Sequence, residues 1–282
     1  MLQAPQRTGL SGPTLIRLLT RLTDAEVQQS RQSLSDHLSQ WLGWTDAIAL
    51  SAALNTAPPV IAPGARMFSS AEERECVRVR TTLADAIASD TAATAAKRVA
   101  PARTPAKNLA AVLTEDEFDY SSFRQRYLSL QHTMETSIGN LRSRLRGMVA
   151  ARNGEWTRLA VVDAIMDRAL LPKERALLGA IPKLLQAHFD RLRKAEEAAL
   201  AQAAEQALAE PGAPADAAAN VQGDTEAPAV DAAQAGTSPP APAITAGAWL
   251  DTFRADMRAV LLAELDVRLQ PVEGLLAALR TS

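Results

Sequence analysis

The sequence predicts an all-α fold, and three observations support the prediction. First, 57 of the 282 residues are alanine, which favours helix. Second, aromatic residues make up only 4% of the chain, fewer than a β-sandwich or an α/β sheet requires. Third, large apolar residues recur at helical spacing over long segments. The expected architecture is a long antiparallel helical hairpin with shorter N-terminal helices, a disordered Ala/Pro-rich linker and a C-terminal amphipathic helix.

Residues 10–98 form the predicted N-terminal helical region. A first helix is expected from Pro13, because proline suits the first turn of a helix. Thr23 begins a capping-box pattern, so a second helix is expected from there to about Asn55.

A third helix is expected to begin at Ser69 or Ser70, where a serine is followed by two glutamates. Towards the end of this helix the large apolar residues give way to alanine and threonine. Residues 99–118 are then predicted to be a linker, because Pro101 and Pro105 interrupt any helix there.

Residues 119–210 are predicted to form the long helical hairpin. In the first arm the large apolar residues are separated by three or four positions, with a mean of about 3.6, which is the period of a helix and of a coiled-coil-like seam. This seam is the predicted contact line for a partner helix, and it consists of Phe123, Tyr127, Leu130, Met134, Ile138, Leu141, Leu145 and Met148. Whether this seam is closed within the chain or by a second copy stays open at this stage, although antiparallel pairing with the second arm favours the chain itself.

The turn of the hairpin is predicted at Asn153-Gly154, residues that tolerate a left-handed backbone. The second arm begins at Trp156 and is expected to kink or restart near Pro172, with a further kink near Pro182. After residue 194 its composition is mostly alanine and glutamate, so this end is expected to project into solvent.

The segment 211–246 is predicted to be a disordered linker. It is rich in alanine and proline and has no aromatic residue, so it cannot bury enough apolar area to offset the entropy of ordering. Residues 247–282 are predicted to form an amphipathic helix that Pro271 breaks.

Four large side chains are predicted to be docking anchors: Trp156, Trp249, Phe253 and Met257. Tryptophan is a large contact surface in an alanine-rich chain. A helix at the end of a flexible tether is a common way to dock into a groove, either on a partner or on the same chain.

Arg142, Arg144 and Arg146 crowd the end of the first hairpin arm and form a candidate patch for an anion or an acidic partner. Residues 1–194 carry 26 basic and 19 acidic residues, whereas no lysine or arginine occurs from 195 to 253. A net charge of +7 over 194 residues is weak for a nucleic-acid interface, and no aromatic residues are interleaved with the arginines.

Catalytic chemistry is not indicated by the sequence. The three histidines stand apart from one another, the single Cys76 has no local histidine, and no phosphate-binding loop is present. We therefore expect no enzymatic activity, no metal site, no cofactor and no small-molecule substrate.

One further pattern lies in two parts of the chain. It consists of Gln40 to Leu50, Trp156, Leu159, Asp163, Lys173-Glu174-Arg175, Leu177, Leu178, Ile181-Pro182, Leu184, Leu185, His188-Phe189 and Leu192-Arg193. In these residues the sequence resembles a family of helical proteobacterial proteins that is known as an uncharacterised domain of unknown function, and the similarity covers most of 10–195 and the C-terminal helix. The resemblance implies a helical protein encoded beside proton-channel-type motor proteins of the MotA/TolQ/ExbB kind and OmpA-like envelope proteins, and it implies no catalytic residues.

The predicted function is that of a non-enzymatic helical scaffold or adaptor that binds other proteins. The resemblance suggests that it is an accessory of an ion-driven envelope complex. Neither a signal peptide nor a transmembrane stretch is evident, so a cytoplasmic location is expected. The alternative is a nucleic-acid-associated helical protein that uses the basic body of residues 1–194, although nucleic acid is the less favoured partner.

Overall fold

A computed structural model describes residues 13–23, 32–55, 68–99, 119–152, 154–209 and 247–281. Every regular element in these ranges is an α-helix, which confirms the all-α prediction. None of the helices in the described ranges is long and apolar enough to cross a membrane. The predicted disorder of 211–246 and most of the predicted linker 99–118 lie outside the described residues.

The helices are named in chain order. They are α1 (Thr14–Thr23), α2 (Leu34–Trp41), α3 (Trp44–Asn55), α4 (Ser70–Val99), α5 (Tyr120–Ala150), α6 (Gly154–Leu178), α7 (Ile181–Ala209) and α8 (Ala248–Arg280).

Helices α5 and α6 form the antiparallel hairpin. Contacts between the arms run in opposite chain directions, from Thr157 donating to the Ala150 carbonyl near the turn to Arg175 contacting Glu135 at the far end. The first arm begins where the Asp119 carboxylate caps α5 by accepting a hydrogen bond from the amide of Ser121 at 3.0 Å.

The second arm is divided at Gly179, seven residues after the proline where a restart was expected. Helix α6 continues through Pro172, so the predicted restart there is wrong. A Cβ at position 179 would lie 2.8 Å from the Arg175 carbonyl oxygen, so glycine allows the chain to turn. Pro182 then lies in the first turn of α7, where its missing N–H has no cost.

The C-terminal helix α8 lies at the centre of the fold. Sixteen of its 33 residues are buried, and it packs against α1, α4, α5 and α7. The predicted break at Pro271 is wrong, because α8 runs unbroken through this proline. Leu269 and Val272 are buried on either side of it, and this packing holds the helix together where the proline removes a backbone donor.

The N-terminal region differs from the single helix expected between Thr23 and Asn55. Thr23 is the last residue of α1, where its hydroxyl donates to the Leu19 carbonyl at 2.8 Å, so it is not an N-cap. The capping box belongs to Ser33, and the chain breaks at Leu42-Gly43 between α2 and α3. Residues 24–31 lie outside the described part of the chain.

The capping prediction for α4 is confirmed. The Glu72 carboxylate accepts hydrogen bonds from the backbone amide of Ser69 at 2.9 Å and from its hydroxyl at 2.8 Å, which makes Ser69 the N-cap. The buried side of this helix carries Cys76, Leu83 and Ile87, which recur at helical spacing.

Candidate functional site

The first part of α8 enters a cluster of aromatic rings. Phe253 is fully buried, with its ring centroid 5.2 Å from Phe123 on α5 and 5.0 Å from Phe189 on α7, in near-perpendicular arrangements. The Trp249 ring stands edge-on to Phe189 at 4.8 Å. Perpendicular ring contacts of this kind add to the gain from burial, so this cluster anchors α8 between α5 and α7.

Two of the predicted docking anchors, Trp249 and Phe253, belong to this ring cluster, and a third, Met257, is buried one turn further along α8. All three bury their side chains against the chain's own helices, so the C-terminal helix closes on its own bundle. The fourth, Trp156, is partly buried at the start of α6, with the Arg152 guanidinium 5.9 Å above its ring.

A buried polar network lies in the middle of the α5–α8 interface. The carboxylate of Glu264 on α8 is fully buried and accepts hydrogen bonds from the Tyr127 hydroxyl at 2.6 Å and the Gln131 amide at 3.0 Å. One turn further along α8, Arg268 donates to Glu264 at 2.9 Å and to Glu174 of α6 at 2.8 Å. The network therefore joins α8 to both arms of the hairpin, α5 and α6.

The network explains why a carboxylate can be buried at the centre of this bundle. A buried charge is tolerated when hydrogen bonds and an opposite charge surround it. Burial beside the Glu264 carboxylate raises the pKa of Tyr127, so its hydroxyl keeps the proton it donates. Burial also raises the pKa of Glu174 against the opposing effect of Arg268. Because the partners occupy fixed positions, the network favours one register of α8 on α5.

Both ends of α8 are also held by the rest of the chain. At the N-terminus, the backbone amide of Gly247, whose φ of 86° suits glycine, donates to the Glu196 carboxylate of α7 at 2.9 Å. At the C-terminus, Arg152 donates to the Ala278 carbonyl at 3.3 Å and to the Leu279 carbonyl. An arginine at the last carbonyls of a helix satisfies acceptors that lack partners within it.

Two of the three arginines of the predicted anion patch join the hairpin arms. Arg142 contacts Asp163 and Asp167 at 2.6 Å each, and Arg146 contacts the same two aspartates at 2.7 Å. Both arginine side chains are less than a fifth exposed. Burial alone would lower the pKa of Arg146, but its hydrogen bonds and the two aspartate charges raise it.

The third arginine of that patch, Arg144, points instead towards α4 and contacts Glu75 at 3.1 Å. Hydrogen bonding to Arg144 lowers the pKa of Glu75. The three predicted arginines therefore do not form one patch: two hold the hairpin and one connects α5 to α4.

A groove of about 460 Å³ lies along the contact between α4 and α8, and Cys76 is among the residues that line it. Its charged residues already contact one another: Arg80 contacts Glu273 at 2.7 Å, and Arg280 contacts Glu73 at 2.6 Å. Burial raises the pKa of the Cys76 thiol, which disfavours the reactive thiolate.

His188 lies on α7 between α1 and α8. Arg191 can only donate, so the His188 Nδ1 atom 3.0 Å away accepts, and Nε2 donates to Asp256 of α8 at 2.9 Å. Arg191 also donates to the Leu22 carbonyl at the end of α1. This cluster therefore fixes α1 against α7 and α8. Among the described residues no group of three or more His, Cys, Asp and Glu side chains could hold a metal ion.

The predicted seam of α5 is largely the buried side of that helix. Leu130 and Met148 differ, since they are only partly buried, and Gln131 and Val149 take the buried positions beside them. Position 131 is buried because the Gln131 amide donates to Glu264 at 3.0 Å, and the buried line then returns to the predicted residues from Met134 to Leu145. The seam is covered by α4, α6, α7 and α8 of the same chain.

Sequence reasoning missed Glu264, Arg268, Asp163 and Asp167 as contact residues. A signal was present for the first two, because both charges fall at the three-to-four-residue spacing of the apolar stripe of α8. A charged residue within such a stripe indicates a buried and paired group. The two aspartates stand four residues apart, which matches the spacing of Arg142 and Arg146.

The family model described as "Protein of unknown function (DUF3348)" matches residues 1–281. No curated protein and no solved structure matches the chain.

Proposed function

We propose that this chain, which belongs to the DUF3348 family of proteins of unknown function, is a non-enzymatic helical scaffold or adaptor that its own C-terminal helix closes. The observation that carries the proposal is the position of α8, which packs against four other helices. A body closed in this way holds helices from both ends of the chain in one arrangement and can present their outer faces to other proteins.

The use of the polar side chains supports this role. Glu264, Arg142 and His188 all contact residues of other helices. In each case a hydrogen bond or an ion pair orients one helix against another, as expected of a rigid binding body.

The proposed client is an envelope complex with an ion-driven membrane protein of the MotA/TolQ/ExbB kind. This part of the proposal rests on the family resemblance, which implies neighbouring genes of that type. Such a scaffold would bind a cytoplasmic part of the complex, and a cytoplasmic location is part of the proposal.

The test is affinity purification of the full chain from cells that express it at its natural level, with crosslinking before lysis. We expect enrichment of a membrane protein of this class with the wild type. Phe253→Ala should reduce the enrichment because it loosens α8, whereas Thr252→Ala, at the exposed neighbouring position, should not. Recovery of no such membrane protein would contradict the proposed client.

The nucleic-acid alternative gains no support from the arginines that suggested it. Arg142, Arg144 and Arg146 each have a carboxylate partner within the chain. Binding of DNA or RNA that weakens steeply with salt, and that is lost when the three arginines are changed to glutamate, would instead favour this alternative.

A further inference from the structure

The polar contacts of α1 with other helices converge on His188. A helix of ten residues is marginal by itself, so the position of α1 depends on packing and on these contacts. In the described residues, Arg21 lies 3.4 Å from Asp256 of α8. The Leu22 carbonyl, at the other contact, accepts a hydrogen bond from Arg191 of α7. Asp256 and Arg191 also hold the two ring nitrogens of His188, so both contacts of α1 depend on the state of this ring.

The charged groups that face His188 come from each of the three helices around it. They are Arg21 of α1, Arg191 of α7 and Asp256 of α8. The His188 side chain is only 7% exposed, so water screens these charges weakly. The neighbouring charged residues of α7 and α8 act on α5 instead, and these are Asp190 and Arg254. The ring therefore lies between two cations and one carboxylate.

The neutral form of His188 fits this arrangement, because Nδ1 accepts from Arg191 while Nε2 donates to Asp256. A proton on Nδ1 removes the acceptor and places a second positive charge against the guanidinium, whose Nη2 atom lies 3.0 Å away. The imidazolium also attracts Asp256 more strongly and competes with Arg21 for this carboxylate. Attraction on one side of the ring offsets repulsion on the other, so protonation redistributes the contacts of the ring and weakens both of those that hold α1.

We propose that His188 is a pH-sensitive latch, which holds α1 on α7 and α8 when the ring is neutral and releases the end of α1 when the ring is protonated. Histidine is the side chain that changes its charge between pH 5 and 8, whereas aspartate and arginine ordinarily keep theirs over this range. Helix α1 is therefore held more firmly at pH 7.5 than at pH 5.5. Its release uncovers Leu15 and Leu22, which are buried in the closed bundle, together with the part of α8 beneath them.

The experiment is amide hydrogen exchange of the full chain at pH 7.5 and 5.5, followed by mass spectrometry. Each rate is divided by the rate of the unstructured sequence at the same pH, which leaves the protection by structure. Protection of residues 18–23 should fall at least about tenfold from pH 7.5 to 5.5, the effect of losing one hydrogen bond to a charged group. Residues 134–145 of α5 lie away from His188 and should keep their protection.

Two variants test whether His188 causes the change. His188→Gln keeps a carbonyl acceptor and an amide donor but cannot be protonated, so the protection of α1 should become independent of pH. Arg191→Gln removes the cation that opposes protonation, so α1 should exchange faster at both pH values and with little difference between them. His132→Gln is the matched control, since His132 is an exposed histidine of α5, and its α1 should respond as in the wild type.

The latch is overturned if the wild type protects α1 equally at both pH values. A response that persists in His188→Gln or in Arg191→Gln also overturns it, as does one that disappears in His132→Gln. Circular dichroism checks that each variant keeps the helix content of the wild type. If His188→Gln does not fold, the result of Arg191→Gln decides.

Discussion

Helices α8 and α3 are both rich in apolar residues, but they occupy opposite environments. Sixteen residues of α8 are buried, whereas α3 has no buried residue. The difference comes from length and from the positions of the large side chains. Along 33 residues, α8 repeats large apolar groups on several sides and meets four helices. Along 12 residues, α3 has alanine towards α6 and tryptophan towards solvent. Hydrophobicity alone therefore does not predict which helix forms the core.

The strongest test of this comparison truncates one aromatic residue in each helix. Phe253→Ala should lower the free energy of unfolding by about 3–5 kcal/mol, because it empties the centre of the ring cluster. Trp44→Ala should change it by less than about 0.5 kcal/mol at low protein concentration, because this side chain is exposed. Urea unfolding followed by circular dichroism measures both. Equal losses would show that α3 contributes to the core as α8 does.

The second test asks whether the polar network holds α8. Glu264→Gln should cost about 3 kcal/mol, because it removes a buried charge on which Arg268, Tyr127 and Gln131 depend. Glu273→Gln, also on α8, should cost at most about 1 kcal/mol, since Glu273 pairs with Arg80 on the surface and is 55% exposed. A Glu264→Gln variant as stable as Glu273→Gln would exclude a structural role for the network.

A smaller effect separates the arginines of α5. Arg142→Ala should cost about 2 kcal/mol, because it removes three charged hydrogen bonds to Asp163 and Asp167 in a partly buried site. Arg144→Ala should cost less than about 1 kcal/mol, because Arg144 is 58% exposed. Thermal denaturation of the two variants in the same buffer compares them. The opposite order would show that the contact of α5 with α4 stabilises the protein more than its contact with α6.

Stability should also decrease at alkaline pH, because Tyr120 is buried. Burial raises the pKa of Tyr120 to about 12 from an ordinary value of 10. The folded state therefore favours the neutral phenol, and this contribution is complete below pH 10 and is lost as the pH rises through about 12. Stability should fall over that range, and Tyr120→Phe should flatten the decrease. Urea midpoints measured at several pH values test this, and an unchanged slope in Tyr120→Phe would count against it.

The fold was largely predictable because helix signals are local. The Ser69 cap and the spacing from Phe123 to Leu145 can both be recognised within a few residues. Local signals were less reliable where packing decides. Pro271 remains inside α8 because buried leucine and valine side chains flank it, and the break in the second arm falls at Gly179, where a side chain would clash.

The candidate site was only partly predictable. Trp249, Phe253 and Met257 stood out as anchors because large side chains are rare in this chain. The groove that receives them was not visible, because Phe123 and Phe189 belong to two other helices. The three predicted arginines do not form one patch, because Arg142 and Arg146 contact α6 whereas Arg144 contacts α4. Which helix each arginine meets depends on the packing of the bundle.

By itself, the sequence determined that the chain is helical, where α1, α4, α5 and α8 begin, and which side chains are large enough to anchor them. These properties depend on backbone preferences and on residues within one or two turns. The tertiary structure alone decided that the C-terminal helix is the centre of the bundle and that Glu264 meets Tyr127, 137 residues away in the chain. It also decided that Trp44 faces outward. Burial and charge pairing depend on which helices meet, and neither local spacing nor composition contains that information.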